Sequence, residues 1–209
     1  MGRIFVIVLT VAALWAAGCG QEPPKQDGKA GSAEETTQET TEAAAASGSE
    51  FQGVVDSYAV AQEEIEEEGG EETAGEYRVG YIVEPAEGWW QGDPANLQWR
   101  EPAAGETNHI EILPYDAQTG LLIPYMDITL QVQDEAGEVV DERSLNFYWS
   151  EFAHYANNFS LPESGTYTLR ADLSQPEFLR HGTEEGEGKV FTGPITVQFD
   201  DVQISTEEE

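Results

Sequence analysis

Apolar and polar residues alternate along three short segments in the second half of the chain, 128–133, 167–171 and 195–199. Successive side chains of a strand point to opposite faces, so this alternation predicts half-buried antiparallel strands. The pattern slips at Asp200 and Asp201, which predicts a bulge or bend in the last strand. Many short strands joined by turns indicate an all-β fold, an antiparallel β-sandwich.

Turn chemistry supports this prediction. Residues 134–137 have the composition of a hairpin turn, and residues 161–165 that of a loop leading into the next strand. The Gly165-x-Tyr167 sequence resembles the tyrosine corner of immunoglobulin-like folds, in which the phenol bonds back to upstream backbone. An ordinary buried strand tyrosine is the alternative. We therefore predict one immunoglobulin-like sandwich over residues 77–204.

The residues just before this domain have helical rather than strand spacing. Gly69 and Gly70 end the pattern, and five apolar residues lie near one helical face: Phe51, Val54, Val55, Tyr58 and Ile65. This predicts a short amphipathic helix covering part of the domain, followed by an acidic linker to residue 76. The eight glutamates of segment 63–76 are typical of a solvated face, and we assign them no metal.

The amino terminus has the pattern of an export signal. A charged start, a short apolar run and small residues precede Cys19, which resembles a bacterial lipobox. We predict a lipoprotein signal peptide over residues 1–18 and lipidation of Cys19; an ordinary cleaved signal is the alternative.

Residues 19–50 lack the large apolar side chains needed for a core and are interpreted as a disordered acidic tether, with a second acidic tail at 205–209. The predicted location is the cell envelope, periplasmic or on the outer face of the membrane.

The formal charge of −32 arises from 41 acidic and 9 basic residues. It argues against binding to nucleic acid or an anionic membrane surface, since both require clustered basic residues. Solubility in a saline or alkaline habitat explains the acid excess, and concentration of cations near a site is the second interpretation.

Three histidines suggest chemistry for the folded part. His109 and Glu111 are two residues apart in a predicted strand, so an imidazole and a carboxylate share one face. His154 and His181 are too distant in sequence for a local zinc motif, and only the fold could bring them together. A metal site is the first hypothesis, with incidental hydrogen-bonded histidines as the alternative.

Four sequence stretches resemble the periplasmic metal-binding proteins of bacterial iron uptake, the Fe2+ transport protein family, which includes a spirochaete lipoprotein antigen. They are His109-Ile110-Glu111, Ile123-Pro124-Tyr125, 153–156, and Arg180-His181 with 184–191. The resemblance implies an immunoglobulin-like homodimer with the metal near the subunit interface, iron or copper as the metal, and an inner-membrane iron permease as partner. It also implies that His109, Glu111, His154 and His181 are ligands.

The chain departs from the family where a methionine sulfur is expected, because Ile123 cannot ligate. Met126 remains as an additional candidate, and Tyr155 as a packing residue or an orienting donor. A site of nitrogen and oxygen atoms suits Fe2+, Zn2+, Mn2+ or Cu2+ better than Cu(I), so copper preference is in question.

Besides a metal-binding protein, two other classes of function have to be compared with the sequence. One is a tethered immunoglobulin-like interaction module without a metal, using aromatic residues around Trp89; by default Trp89, Trp90 and Trp99 are core or interface residues. The other is an enzyme, which we do not expect, since the chain has no catalytic triad or dinucleotide motif in context. Asn157 and Asn158 are interpreted as loop residues, the latter in a glycosylation sequon.

Overall fold

The computed structural model describes residues 50–207. The predicted signal peptide, Cys19 and nearly all of the predicted tether lie outside this range. Within it, the chain forms one helix followed by eleven strands: α1 (Gln52–Glu68), β1 (Gly69–Ala74), β2 (Tyr77–Pro85), β3 (Trp89–Asp93), β4 (Asn96–Arg100), β5 (Asn108–Asp116), β6 (Ile128–Gln133), β7 (Val139–Ser144), β8 (Asn146–Trp149), β9 (Ala153–Phe159), β10 (Gly165–Leu173) and β11 (Ile195–Ile204). The described helix does not have the length and apolarity to cross a membrane.

The strands form two stacked antiparallel sheets and a separate hairpin. One sheet has the order β1-β2-β5-β9-β8, the other β11-β10-β6-β7, and β3 pairs with β4. Apolar side chains from both sheets meet in one core, including Ile110 and Ile112 from the first sheet and Leu130, Leu169 and Phe199 from the second. The predicted all-β sandwich is therefore confirmed.

Local features follow the sequence patterns closely. The hydroxyl of Tyr167 donates a hydrogen bond of 2.6 Å to the carbonyl of Glu163, which confirms the predicted tyrosine corner. The 134–138 turn is closed by the Asp134 carboxylate, which accepts bonds from the backbone amides of Ala136 and Glu138. The register of β10 against β11 shifts near Asp201, whose φ is 59°, so the predicted bulge is also confirmed.

Strand β5 is buried on both of its faces. Ile110 and Ile112 point into the sandwich core, so their neighbours His109, Glu111 and Leu113 point to the opposite, outer face of the five-stranded sheet. Helix α1 covers part of that outer face, and the β3-β4 hairpin brings Trp89 beside His109. The outer face is thus a second buried layer, and it carries the polar residues of interest.

Helix α1 is confirmed, but its packing differs from the predicted pattern. Ala61 and Ile65 are buried against Ile82, Leu113 and Phe152, among others. In contrast, the apolar residues of its first turns, Phe51, Val54 and Val55, are 54–61% exposed. Only the carboxyl-terminal half of the helix lies over the sheet. The helical spacing of apolar residues therefore predicted more buried residues than the structure has.

The segment after the helix is also more ordered than its composition suggested. All six residues of Gly69–Ala74 pair with β2 and form an edge strand. The sequence predicted an acidic linker at this place. Glu71 forms an ion pair with Arg78 of β2. Charged side chains are common on edge strands, since they discourage pairing with other chains.

We predict that Ile65→Ala lowers the free energy of unfolding by about 2–5 kcal/mol, the usual cost of truncating a buried aliphatic side chain. Ile65 is 2% exposed and anchors α1 to the sheet. The matched control is Val54→Ala on the same helix, where the side chain is 54% exposed and the change should stay within about 0.5 kcal/mol. Urea unfolding of both variants measures this; equal effects would mean that the helix does not pack as described.

Candidate metal centre

Neighbouring strands bring three polar side chains together on the outer face of the five-stranded sheet. His109 and Glu111 come from β5, and His154 comes from β9, which pairs with β5. Their exposed fractions are 2%, 3% and 4%. One nitrogen or oxygen from each residue lies within 4.8 Å of the others. The fold thus assembles a buried cluster of two imidazoles and one carboxylate.

The distances in this cluster approach those of a coordination site. The Oε1 atom of Glu111 lies 3.3 Å from Nε2 of His154 and 3.9 Å from Nε2 of His109. In a tetrahedral site with metal–ligand bonds of about 2.1 Å, the ligand atoms are about 3.4 Å apart. The distance from Glu111 to His154 already has this length, and the distance from Glu111 to His109 exceeds it by about 0.5 Å.

The orientation of His109 is set by Asn158. The Nδ1–H group of His109 donates to the Oδ1 atom of Asn158 over 2.8 Å, which leaves Nε2 with its lone pair toward the cluster. The Asn158 amide in turn donates to the carbonyl of Glu87 and to the carboxylate of Glu106. Such outer partners fix the tautomer and the ring plane of a metal-binding histidine.

The hydrogen-bond network that orients His109 continues from Asn158 through Glu106 to Arg100. Its guanidinium forms an ion pair with Glu106, and the Glu106 carboxylate also accepts the backbone amide of Ala103. Burial opposes ionisation of Glu106, but the hydrogen bonds from Arg100 and Asn158 outweigh it and lower its pKa to about 2. A fixed charge thus holds the amide that holds His109.

The cluster itself is electrostatically unsatisfied. Burial raises the pKa of Glu111 to about 9, with nearby glutamates adding to the effect. Burial, and then the proximity of His109, lowers the pKa of His154 to about 4. Within the described part of the chain, Oε2 of Glu111 and Nδ1 of His154 have no hydrogen-bond partner. Neutral imidazoles and a carboxyl group that can lose its proton suit a divalent cation, whose binding would release that proton.

The cluster opens into a cavity of about 700 Å³. Aromatic rings flank the histidines: Tyr148 stacks on His154 with ring centres 5.5 Å apart, and Phe152 lies 5.3 Å from the same ring. Trp89 packs beside His109 at 6.3 Å. The donor atoms therefore lie in an apolar frame, yet an ion can reach them from the cavity.

The other candidates from the sequence lie elsewhere. His181 is exposed in the loop between β10 and β11 and is not part of the described cluster. Met126 and Ile123 are buried in the sandwich core, on the other side of the sheet. Tyr155 points the same way, and its hydroxyl donates to the carbonyl of Ile123. Its role is to brace the 123–126 segment.

Sequence reasoning missed the residues that support the site. Asn157 and Asn158 belong to strand β9 rather than to a loop, and Asn158 is fully buried, so its sequon is inaccessible. Alternation along β9 could have placed Asn158 on the face of His154. Glu64 and Glu84, from the helix and from β2, line the cavity although the acidic run appeared to be only solvated.

Comparison with known proteins supports the sequence resemblance. Residues 106–205 match the model of the family described as Fe2+ transport protein. FetP of uropathogenic Escherichia coli strain F11, expressed in the periplasm, is similar with a TM-score of 0.52 and 20% identity over 66% of this chain and 96% of FetP. No curated protein matches the chain.

Two copper-bound structures show the same likeness. A glutamate-to-glutamine variant of FetP has a TM-score of 0.53 and 18% identity, covering 67% of this chain and 92% of its own. A methionine-to-isoleucine variant of Campylobacter jejuni P19 has a TM-score of 0.52 and 18% identity, covering 66% and 96%. At such identities the structures establish a shared fold.

The sandwich fold and the buried cluster of two histidines and one glutamate define a β-sandwich protein with a candidate metal site. More particularly, residues 106–205 match the Fe2+ transport protein family, as the four sequence stretches predicted.

We predict that Glu106→Gln destabilises the protein at pH 7 by about 1.5–3 kcal/mol, the usual value of a hydrogen bond to a charged group. Because the pKa of Glu106 is lowered to about 2, its contribution is complete above the ordinary value near 4.5 and disappears as the pH falls through 2. The difference between wild type and variant should therefore shrink below pH 4.5 in urea unfolding. Glu135→Gln, in an exposed turn, is the control; a difference that is constant with pH would contradict the ion-pair role.

Proposed function

We propose that the protein binds one divalent transition-metal ion through His109, Glu111 and His154 and delivers it to an iron-uptake system. The observation that supports this proposal most strongly is the convergence of three buried donor atoms, with Oε2 of Glu111 left without a hydrogen-bond partner. Leaving a buried carboxylate oxygen unpaired costs stability, so a bound cation explains its presence better than packing does.

The donor set favours Fe2+ as the cargo, with Cu2+, Zn2+ and Mn2+ as competitors. It contains imidazole nitrogen and carboxylate oxygen, and both candidate sulfur positions are absent from it, since Ile123 and Met126 lie in the core. A site without thioether has no particular affinity for Cu(I). Copper is bound in the FetP and P19 structures, which makes Cu2+ a suitable probe here.

We further propose that the protein works outside the cytoplasm as a lipid-anchored carrier, and not as an enzyme. The lipobox-like sequence at Cys19 supports the anchor, and the acidic segment after it would be a flexible tether. A carrier of this kind would hand its ion to an inner-membrane iron permease, as the family resemblance implies.

His181 fits this proposal through a second copy of the chain. It is exposed and next to Arg180, whose guanidinium donates to the carbonyls of Pro176, Phe178, Val190 and Phe191. We propose a homodimer in which this braced loop of one protomer supplies His181 to the cluster of the other, since three protein donors leave a tetrahedral site open.

Metal titration tests the proposed site. The purified protein should bind close to one Fe2+ per chain in anaerobic calorimetry, and His154→Ala should reduce the affinity by more than about 100-fold, beyond the loss expected for an orienting partner. Met126→Leu is the matched control and should bind as the wild type does. Unchanged binding by His154→Ala would disprove this site.

Glu111→Gln separates two effects of the buried carboxyl group: its effect on the stability of the metal-free protein and its effect on metal binding. Gln has nearly the same shape and is neutral without taking up a proton, so at neutral pH the metal-free variant should be at least as stable as the metal-free wild type, while metal should no longer raise its melting temperature. Differential scanning calorimetry with and without excess metal measures both quantities. A variant that is still stabilised by metal would exclude Glu111 as a ligand.

The dimer is tested by mixing two inactive variants. His154→Ala and His181→Ala should each bind metal weakly, and an unfolded and refolded equimolar mixture should recover tight sites, because some heterodimers combine an intact cluster with an intact His181. Metal content after gel filtration measures the recovery. A His181→Ala protein that binds as tightly as wild type would show that this residue is not a ligand.

A further inference from the structure

The cavity above the cluster is much larger than a metal ion requires. Each water in the liquid occupies about 30 Å³, so an ion with six waters fills roughly 200 Å³ of the cavity of about 700 Å³. The remaining space lies within the range of about 300–1,000 Å³ found for sites that bind small organic molecules.

The walls of this space are aromatic. Trp90 and Trp99 from the β3-β4 hairpin and Trp149 from β8 line it, and they are 63%, 47% and 84% exposed. Trp90 and Trp99 are cross-strand partners with ring centres 5.5 Å apart. A Cβ at Gly88 would lie 2.5 Å from the Trp99 ring, so the glycine makes room for that indole. Aromatic rings held at a cavity mouth offer flat apolar surfaces for stacking.

The rim of the cavity is negative. Glu64, Glu84, Glu87 and Glu151 line it, and no lysine or arginine is among the described lining residues. The guanidinium of Arg100 lies over Trp89 and is paired with Glu106. An anionic ligand would be repelled, whereas a cation would be attracted both by the carboxylates and by the ring faces.

We propose that the cavity takes the metal as a cationic complex with a small planar aromatic nitrogen chelator. The chelator rings would stack on Trp90, Trp99 and Trp149, and the open positions of the metal would face His109, Glu111 and His154. Three cluster donors and two chelator nitrogens make five, and His181 of the proposed second copy would make six, within the coordination number of Fe2+ or Cu2+. This inference rests on the proposed metal-binding function and names its substrate class.

Three observations favour this occupant. The floor holds the unpartnered carboxylate oxygen of Glu111, the walls are aromatic and the rim is acidic. A bare ion would interact with the cluster donors and the rim carboxylates, but it would leave the tryptophan rings without a ligand. The hairpin with Trp90 and Trp99 also precedes residues 106–205, so it lies outside the segment that matches the family model.

The experiment uses the 1:1 complex of Cu2+ with 1,10-phenanthroline, bare Cu2+, and iron citrate as an anionic complex. Calorimetry gives the affinities, and gel filtration with copper and phenanthroline absorbance shows whether the chelator stays bound. The test variant is Trp90→Ala/Trp149→Ala, whose wild-type side chains are 63% and 84% exposed. The matched control is Leu179→Ala, 96% exposed and outside the cavity lining.

The proposal predicts a 1:1:1 complex of protein, copper and phenanthroline, and no binding of iron citrate. The double variant should bind the phenanthroline complex about tenfold more weakly, because two aromatic stacking contacts are lost, and it should bind bare Cu2+ within about twofold of wild type. Leu179→Ala should match wild type for both.

Three results would overturn the inference: phenanthroline left behind while copper binds, an equal loss of both probes in the double variant, or a change of oligomeric state in place of weaker chelate binding. Any of these results, if the wild type still binds bare Cu2+, leaves the proposed metal site standing. Failure of wild type to bind bare Cu2+ would instead reject the proposed function, and with it this inference.

Discussion

The site depends on the burial of strand β5 on both faces. One face contributes Ile110 and Ile112 to the sandwich core, and the other places His109 and Glu111 beneath a second layer. Helix α1 and the β3-β4 hairpin are needed to form that layer, because a bare outer face would leave the cluster in water. Burial is what makes the imidazoles poor bases and the carboxyl a poor acid, and hence what couples ion binding to proton release.

The polar groups of this layer fall into two sets with opposite energetics. Asn158, Glu106 and Arg100 form a connected network that stabilises the fold and fixes the ring of His109. Glu111, in contrast, keeps an unpartnered carboxylate oxygen, and it lines the cavity together with His109 and His154. A rigid, satisfied support beside an unsatisfied cluster is what a binding site requires, since the ligand then supplies the missing interactions.

Most of the sandwich could be predicted from local patterns. Alternation, turn residues and the Tyr167 corner each depend on neighbours in sequence, and each was confirmed. The shared face of His109 and Glu111 follows from strand geometry in the same way. The pairing of β9 with β5 is non-local, so the role of Asn158 and the distance between His154 and Glu111 could not be predicted. Composition also misled at Gly69–Ala74, because β2 orders an acidic segment that has no apolar pattern of its own.

We propose above all that the outer-face cluster of this protein, whose residues 106–205 match the Fe2+ transport protein family, coordinates a metal ion. The most direct test is a crystal structure grown with Cu2+, with diffraction recorded on both sides of the copper absorption edge. The account predicts an anomalous peak about 2.0–2.2 Å from Nε2 of His109, Nε2 of His154 and the Glu111 carboxylate. A peak confined to surface carboxylates, with Glu111 and the two histidines unmoved and without metal, would contradict it.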